Sequence, residues 1–250
     1  MNGKVVIITG GNRGIGAEVV KCFVKAGASV CSSYYPSEEM ENSNIKLLKE
    51  IKKYNGKILT IPCDLSNPKD IEILVRKTQN KFGKISNIIS NAAHSGICDW
   101  EKIYIKEWDY CQSVNVRSSW LLVKHSCDDL KYTKGSVIFV TSVMTETGQT
   151  GSLHYTTSKA ALIGMTRALA RELGIYGVRV NAVMPGAIRT ESEVEQFDED
   201  DVFKYVIPLQ ALKRRGYAKD LTGTFMFLAN KESDFITGQI INVDGGWVMR

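Results

Sequence analysis

A tyrosine and a lysine four positions apart, Tyr155 and Lys159, are the residues of this chain whose spacing best suggests chemistry. Four residues make about one helical turn, so both side chains lie on the same helix face. A free tyrosine, with a pKa of roughly 10, exchanges protons poorly near neutral pH, but a neighbouring ammonium lowers that pKa. Ser142 ends a preceding strand pattern, where its hydroxyl can hydrogen-bond a substrate carbonyl oxygen. Each residue alone is usually structural; together they predict an acid/base site.

A glycine-rich segment near the N-terminus predicts a nucleotide site. It joins a β-branched run to a helical pattern, and its glycines at positions 10, 11, 14 and 16 depart from the G-x-G-x-x-G spacing. Missing side chains let the backbone approach a pyrophosphate, and a helix N-terminus offers free N–H donors. A tight turn without a ligand is the alternative. With the acid/base site, the segment predicts hydride transfer on a bound dinucleotide, contacted by Gly10, Asn12, Arg13, Gly14, Ile15 and Gly16.

The end of the second predicted strand, Ser33-Tyr34-Tyr35, bears on the choice of dinucleotide. NAD enzymes commonly place a carboxylate there on the ribose 2′-hydroxyl. Because no carboxylate stands there to repel a 2′-phosphate, and Arg13 can pair with one, we expect NADP(H) to be preferred over NAD(H). Tyr34 would pack on adenine with either cofactor. Asp64 and Leu65 close the third strand and are expected beside adenine, although Asp64 equally suits a turn.

Short β-branched runs alternate with helical patterns along nearly the whole chain. This alternation predicts βαβ units on a parallel sheet. We therefore expect one doubly wound, Rossmann-type α/β domain over residues 1–250, with a seven-stranded parallel sheet, helices on both faces and a ligand crevice at the carboxyl ends of the strands. The predicted strands are 4–9, 28–34, 57–62, 86–90, 135–141, 178–183 and 240–243, and the predicted helices are 14–26, 44–54, 67–82, 106–131, 156–175 and 217–230.

Composition excludes several classes of protein. The chain is 44% hydrophobic and 24% charged, and its net charge of +5 is scattered rather than gathered into a basic stripe, so we expect no nucleic-acid partner. No apolar run approaches the roughly 18 residues of a membrane span, and the N-terminal run is too short for a signal peptide. The six cysteines show no CxxC spacing, which favours reduced thiols and a cytoplasmic location.

The three histidines, His94, His125 and His154, have no metal-ligand spacing, so no metal site is expected. His94 and His154 are placed where either could touch substrate, although surface or packing roles are the more common ones. Residues 189–206, called the acidic segment below, carry seven carboxylates. We expect this segment to be a mobile lid over the site or a solvated helix face.

The chain resembles the short-chain dehydrogenase/reductases over essentially its whole length. Thr9–Gly16 matches the motif TGxxxGxG, Tyr155 and Lys159 match YxxxK, and Ser142 precedes the tyrosine by thirteen residues. The resemblance implies that Ser142, Tyr155 and Lys159 are catalytic. It also implies that Asn115, in the mid-chain helix, holds a water on a proton relay through Lys159 and the ribose to Tyr155, which protonates the product alkoxide during reduction.

The resemblance implies further cofactor contacts. The stretch from Pro185 to Thr190 looks like the family's PGxIxT motif, with Ile188 and Thr190 near the nicotinamide carboxamide. The family's NNAG motif, which supports the adenosine side, appears as Ser90-Asn91-Ala92-Ala93, where the methyl of Ala93 is a departure. The cofactor contacts that these two motifs imply are Asn91, Ala92, Pro185, Gly186, Ile188 and Thr190.

The mid-chain helix also bears on assembly. Trp108, Cys111 and Val114 recur at helical spacing and read as an apolar face. In the family this helix commonly pairs with its copy, which implies a homo-oligomer, either a dimer or a tetramer. A face buried within one chain would produce the same pattern.

The leading interpretation is an NADPH-dependent ketoreductase of the 3-oxoacyl reductase type, using Tyr155 as general acid/base on a small-molecule carbonyl or alcohol. Thr133 and Tyr176 replace basic residues that such enzymes often use to dock an acidic carrier, while Lys131 and Lys134 lie nearby. A small polar, sugar-like or specialised-metabolite substrate is the alternative. A non-catalytic dinucleotide-binding sensor is an alternative from another class, although it would need no proton relay.

Overall fold

Parallel strands rich in Val and Ile form the centre of the molecule, which the computed structural model describes over residues 1–54 and 56–249. Such strands are apolar on both faces because helices cover both sides of the sheet. The strands are β1 (Val5–Thr9), β2 (Ser29–Tyr34), β3 (Lys57–Pro62), β4 (Asn87–Ser90), β5 (Ser136–Val140), β6 (Arg179–Pro185), β7 (Ile188–Arg189), β8 (Gly216–Tyr217) and β9 (Ile240–Val243).

The main sheet has seven strands in the order β3-β2-β1-β4-β5-β6-β9, all parallel, as the sequence predicted. The order reverses between β1 and β4, because the chain returns to the middle of the sheet before winding outward again. In such sheets a ligand crevice opens at this switch, beyond the carboxyl ends of the strands. The strands β7 and β8 form a separate parallel pair, which the sequence did not predict.

Helices lie on both sheet faces. Val5 and Ile7 of β1 belong to one core cluster and Val6 and Ile8 to the other, because successive side chains of a strand point to opposite faces. The helices are α1 (Gly14–Lys25), α2 (Glu38–Ile51), α3 (Pro68–Phe82), α4 (Ile105–Gln112), α5 (Ser118–His125), α6 (Cys127–Thr133), α7 (Met144–Thr147), α8 (Leu153–Gly174), α9 (Glu191–Val194), α10 (Glu199–Asp201) and α11 (Ala218–Ala229). No helix within the described ranges is both long and apolar enough to cross a bilayer.

The second helix begins six residues earlier than the predicted 44–54. Ser37 caps it, accepting a hydrogen bond from the Met40 backbone N–H at 3.4 Å, and acidic residues fill its first turn. A capping hydroxyl and early carboxylates both stabilise a helix N-terminus. This start places Glu39 beside the glycine-rich segment.

The predicted mid-chain helix 106–131 is three helices, so that prediction was wrong in its continuity. A π-helical turn, Ser113–Arg117, separates α4 from α5, and Ser126 separates α5 from α6. The hydroxyl of Ser119 donates to the Asn115 carbonyl oxygen at 2.8 Å, which satisfies an acceptor at the irregular turn. Cys111 and Val114 are buried within the chain, so this part of the predicted apolar face packs internally.

Candidate active site

A cleft of 710 Å³ opens at the carboxyl ends of the strands and brings most of the predicted site residues together. Gly16 and Asn115 are the predicted residues outside its lining. The predicted residues that line it are Gly10, Asn12, Arg13, Gly14, Ile15, Tyr34, Asp64, Leu65, Asn91, Ala92, Ser142, Tyr155, Lys159, Pro185, Gly186, Ile188 and Thr190.

The glycine-rich segment turns from β1 into α1 as predicted. Gly10 and Gly14 have φ of +62° and +54°, a conformation that favours glycine. Gly16 supports the turn from behind, because a Cβ there would lie 2.0 Å from the Gly10 carbonyl oxygen. Arg13 occupies the N-cap of α1 without a side-chain cap, so the helix leaves N–H donors for other acceptors.

One of those donors already holds an anion. The Gly14 backbone N–H donates to a Glu191 carboxylate oxygen at 3.1 Å. A carboxylate at this helix N-terminus stands in for a phosphate, because both are oxyanions attracted by the same N–H groups and dipole. The contact shows that the Gly14 N–H is directed at an oxyanion at the start of α1.

The environment of Arg13 differs from the expectation that no carboxylate lies near a 2′-phosphate. Its guanidinium lies 3.0 Å from Glu39 and 3.8 Å from Glu195. Glu39 follows β2 by five positions and reaches the cleft because α2 starts early. The Tyr34 hydroxyl donates to the Glu41 carboxylate at 2.5 Å. Burial, together with this carboxylate, raises the pKa of Tyr34 to about 12.

The structure shows the turn at Asp64 and places this residue at the cleft, where contact with adenine stays a prediction. Its carboxylate accepts from the Ser66 N–H at 2.9 Å, forming a turn, and Asp64 and Leu65 line the cleft beside Tyr34. Asn91 joins β4 to β1, because its side-chain amide donates to the carbonyl oxygens of Thr9 and Gly10 at 3.0 and 3.1 Å. The ends of β1 and β4 are therefore tied together at the cleft.

Ser142, Tyr155 and Lys159 meet at one end of the cleft. Helix α8 begins at Leu153, which puts Tyr155 in its first turn, and the Ser142 hydroxyl lies close enough to Tyr155 to lower the pKa of the phenol. The Lys159 ammonium donates to the Val140 carbonyl oxygen at 2.7 Å and lies 5.5 Å from the centroid of the Tyr155 ring. A strand end therefore fixes the lysine beside the phenol.

The ionisation of this pair is set mainly by burial. Burial raises the pKa of Tyr155 to about 12, against the lowering effect of the Ser142 hydrogen bond. Burial likewise lowers the pKa of Lys159 to about 8, because a charged ammonium is poorly solvated there. The expected lowering of the Tyr155 pKa by Lys159 is thus outweighed, since the same burial disfavours the charge on the lysine.

Asn115 lies behind the cleft rather than in it, with only 1% of its surface exposed. Its amide accepts from the His94 backbone N–H at 2.8 Å and donates to the His94 carbonyl oxygen at 2.9 Å. It also donates to the Ser158 hydroxyl at 2.8 Å. Asn115 therefore joins the loop after β4 to the helix that carries Tyr155.

The structure separates the two histidines that the sequence placed where either could touch substrate. His94 lines the cleft, and its ring lies 2.6 Å from the Glu107 carboxylate, whereas His154 is buried outside the lining, 3.7 Å from Glu107. The contacts of Glu107 with the two histidine rings join residues far apart in sequence, so no local motif predicted them. Trp247 also lines the cleft, and its position just after two glycines was the signal available. Within residues 1–54 and 56–249, the structure shows no cluster of side chains suited to a metal.

The known proteins to which this chain is similar match it over nearly its whole length. A family model described as enoyl-(acyl carrier protein) reductase matches residues 10–248. The L-rhamnose-1-dehydrogenase of Scheffersomyces stipitis is 33% identical over 98% of this chain and 96% of its own length. The 3-oxoacyl-[acyl-carrier-protein] reductase of Synechocystis is 30% identical over 100% of this chain and 98% of its own. The crystal structure of a blue fluorescent protein from a metagenomic library, in complex with NADPH, matches with a TM-score of 0.92, 28% identity and 99% coverage of both chains.

Proposed function

The chain belongs to the short-chain dehydrogenase/reductase family and is an oxidoreductase acting on CH–OH groups, and from this premise we propose that it reduces a ketone to a secondary alcohol with NADPH. The observation that carries the proposal is the meeting of Ser142, Tyr155 and Lys159 at the end of a cleft whose other end is the glycine-rich turn. A protein that only sensed a dinucleotide would need the turn and not the acid/base group.

The three side chains divide the proton chemistry between them. The bound nicotinamide would supply the hydride. Tyr155, protonated at neutral pH, donates its phenolic proton to the carbonyl oxygen as that oxygen becomes an alkoxide. Ser142 hydrogen-bonds the same oxygen and favours the developing charge. Lys159 stabilises the tyrosinate that remains and binds the ribose hydroxyls.

Arg13 supports the choice of NADPH over NADH. Its contact with Glu39 is an exposed ion pair, in which the carboxylate is 69% exposed, and such pairs are worth about 0–1 kcal/mol. A 2′-phosphate carries more charge than a carboxylate and offers more acceptor oxygens. We therefore expect the phosphate to replace Glu39 on Arg13.

Two substrate classes have support in the cleft. An apolar wall favours a 3-oxoacyl chain, consistent with the relative of that name. A polar wall around His94, Ser95 and Gln196, in which the Gln196 amide donates to the Ser95 hydroxyl at 3.2 Å, favours a hydroxyl-rich substrate as the second candidate. The apolar wall consists of Met144, Phe197, Val202, Val206 and Trp247.

Homo-oligomerisation is part of the proposal. Tyr104 and Ile105 are each 81% exposed, and Trp120 on the neighbouring helix α5 is partly exposed. Exposed apolar groups of this kind commonly mark interfaces. Light scattering of the purified protein would give a mass of two or four chains if the proposal is right, and of one chain if it is wrong.

Replacement of Tyr155 by Phe tests the acid/base role. We expect Tyr155→Phe to lower kcat for NADPH-dependent ketone reduction by about 10²–10⁴-fold, since it removes the proton donor, and to leave the Kd for NADPH within about twofold. The assays would use a 3-oxoacyl thioester and a polyhydroxylated ketone, and cofactor binding would be followed by fluorescence. Tyr132→Phe, which makes the same change on an exposed ring outside the cleft, should keep full activity. Undiminished turnover by Tyr155→Phe would refute the role.

A further inference from the structure

The acidic segment makes two kinds of contact that its composition did not reveal. Two of its carboxylates reach the cofactor-binding turn: Glu191 at the Gly14 N–H and Glu195 at Arg13. Two others are held elsewhere, by Arg215. The segment is therefore neither a freely solvated helix face nor only a wall of the substrate pocket.

Arg215 anchors the segment independently of the turn. Its side chain is 2% exposed, its guanidinium donates to Glu193 at 2.7 Å, and it lies 3.3 Å from Glu199. The pairing of β7 with β8 brings Arg215, which immediately precedes β8, alongside the start of the acidic segment. Because Glu193 and Glu191 share the short helix α9, this anchor keeps the Glu191 carboxylate close to Gly14.

Glu191 occupies a donor that a dinucleotide needs. The N–H of Gly14 is at the N-terminus of the twelve-residue helix α1, where a pyrophosphate is favoured by the helix dipole. One N–H donates well to one oxyanion at a time, and a carboxylate beside a pyrophosphate repels it. A cofactor must therefore displace Glu191 before it can use this donor.

Glu195 acts in the same way at Arg13, but only on the cofactor that carries a 2′-phosphate. Two carboxylates share the Arg13 guanidinium: Glu39 of α2 lies 3.0 Å from it and Glu195 of the acidic segment lies 3.8 Å from it. NADH has no phosphate for Arg13 to bind. The competition at Arg13 therefore weakens NADPH binding and leaves NADH binding unaffected.

We propose that Glu191 and Glu195 compete with the cofactor, Glu191 with the pyrophosphate for Gly14 and Glu195 with the 2′-phosphate for Arg13, so that Glu195 alone acts on the choice between NADPH and NADH. The proposal rests on the proposed function, since it requires the cleft to bind a dinucleotide. It assigns to the acidic segment a role in cofactor affinity and in the ratio of NADPH to NADH affinities. When a site is free in only a fraction of molecules, the apparent affinity falls by that fraction.

Equilibrium titrations of the full-length protein with NADPH and with NADH test the proposal. We expect Glu191→Gln to tighten the binding of both cofactors by about threefold, the scale of a charge at a helix N-terminus. Glu195→Gln should tighten NADPH by about twofold and leave NADH unchanged. Both gains should shrink as salt is raised, because exposed charges are screened. Asp200→Asn removes one charge from the same segment, where Asp200 is exposed and its N–H bonds Asp198, and should change neither Kd.

The outcomes separate this proposal from the proposed function. If the unsubstituted protein binds neither cofactor, both fall. If it binds a cofactor and Glu191→Gln binds no tighter, or binds more weakly, the competition at Gly14 is overturned while the oxidoreductase function stands. An equal effect of Glu195→Gln on NADPH and NADH, or one matched by Asp200→Asn, overturns the selection at Arg13. Thermal unfolding of each variant, expected to be unchanged because the substituted side chains are exposed, confirms that the comparisons are made on folded protein.

Discussion

Lys159 is buried, which is unfavourable for its charged ammonium. Its side chain is 2% exposed, and its recorded hydrogen bond is to one carbonyl oxygen, that of Val140. Removing an ammonium from water is unfavourable unless other groups in the site stabilise the charge. In the proposed function, an anionic phenolate or ribose hydroxyls beside Lys159 would stabilise it. Under the proposed function, this destabilising group is kept for its part in the chemistry, as is common in active sites.

This burial predicts a dependence of stability on pH. The pKa of Lys159 is lowered to about 8 in the folded protein from 10.5, so the unfolded chain binds more protons between these values and stability rises with pH across that window. The burial penalty is fully present below pH 8. Relative to Lys159→Met, the free energy of unfolding of the unsubstituted protein should rise by on the order of 2 kcal/mol from pH 7 to pH 10.

Urea unfolding of both proteins at the two pH values measures that difference. The comparison stops at pH 10 because the raised pKa of Tyr155, about 12 against the usual 10, makes stability fall between pH 10 and pH 12. Parallel changes in the two proteins would show that Lys159 titrates normally in the fold.

At the scale of helices, two glycines differ in why glycine is present. At one position packing leaves no room for a side chain, whereas at the other only helix propensity distinguishes glycine from alanine. Gly16 in α1 and Gly164 in α8 are both helical, but a Cβ on Gly16 would meet the Gly10 carbonyl oxygen at 2.0 Å, whereas one on Gly164 would meet nothing within 4 Å. Alanine is favoured over glycine in an exposed helix by about 0.5–1 kcal/mol. The same substitution should therefore have opposite signs at the two positions.

Gly164→Ala is expected to raise the free energy of unfolding by about 0.5–1 kcal/mol. Gly16→Ala should lower it by roughly 1–3 kcal/mol, because the turn must shift to relieve a contact with backbone atoms. The shift should also weaken NADPH binding, since it moves the Gly10–Gly14 turn. Chemical denaturation and cofactor titration measure the two effects, and a stable Gly16→Ala protein with normal affinity would contradict this account of the turn.

Helices and strands differed in how well local sequence predicted them. The strands β3 and β9 have their predicted bounds, because short β-branched runs end at clear turn residues. The start of α2 was missed although Ser37 and the glutamates after it form an ordinary capping signal, because the prediction followed apolar periodicity alone. Asn115, within the π turn, accepts a hydrogen bond from His94 in another part of the chain, a contact that no helical pattern encodes.

The candidate site shows the same limit. Gly10, Ser142, Tyr155 and Lys159 were predictable, because short motifs place them at strand and helix ends that a parallel sheet brings to one edge. The carboxylate of Glu39 was not, since its contact with Arg13 joins residues 26 positions apart through the docking of α2. Sequence spacing describes neighbours on one element well, whereas contacts between elements depend on how they pack.

At the scale of the whole molecule, buried cysteines report whether the fold unfolds as one unit. Cys31 and Cys63 are buried in the same core cluster, and burial raises the pKa of Cys31 to about 11 and that of Cys63 to about 12. Thiols react as thiolates, so both should resist modification in the folded protein. The other four described cysteines are also free, and Cys98 and Cys127 are partly exposed.

We expect a thiol reagent at pH 8 to label Cys98 and Cys127 rapidly, and Cys31 and Cys63 only at the rate of global unfolding. Mass spectrometry of labelled peptides at increasing urea would follow each site. If residues 1–250 are one cooperative domain, Cys31 and Cys63 become reactive together and in step with the loss of circular dichroism. Labelling of either one well before that transition would show that part of the sheet opens separately.

Some side chains of the cleft are held by strands and helices of the core and others come from loops, and this difference affects how such an enzyme can change over evolution or by directed selection. The acid/base group is held from behind, Lys159 by the end of β5 and the start of α8 through Asn115, whereas Phe197 and Trp247 reach the cleft from loops beyond the strand ends. Loops tolerate substitution better than the elements that they join. If the proposed function is right, new substrate ranges can therefore arise by exchange of these loop side chains, while Tyr155, Lys159 and the core beneath them are inherited unchanged.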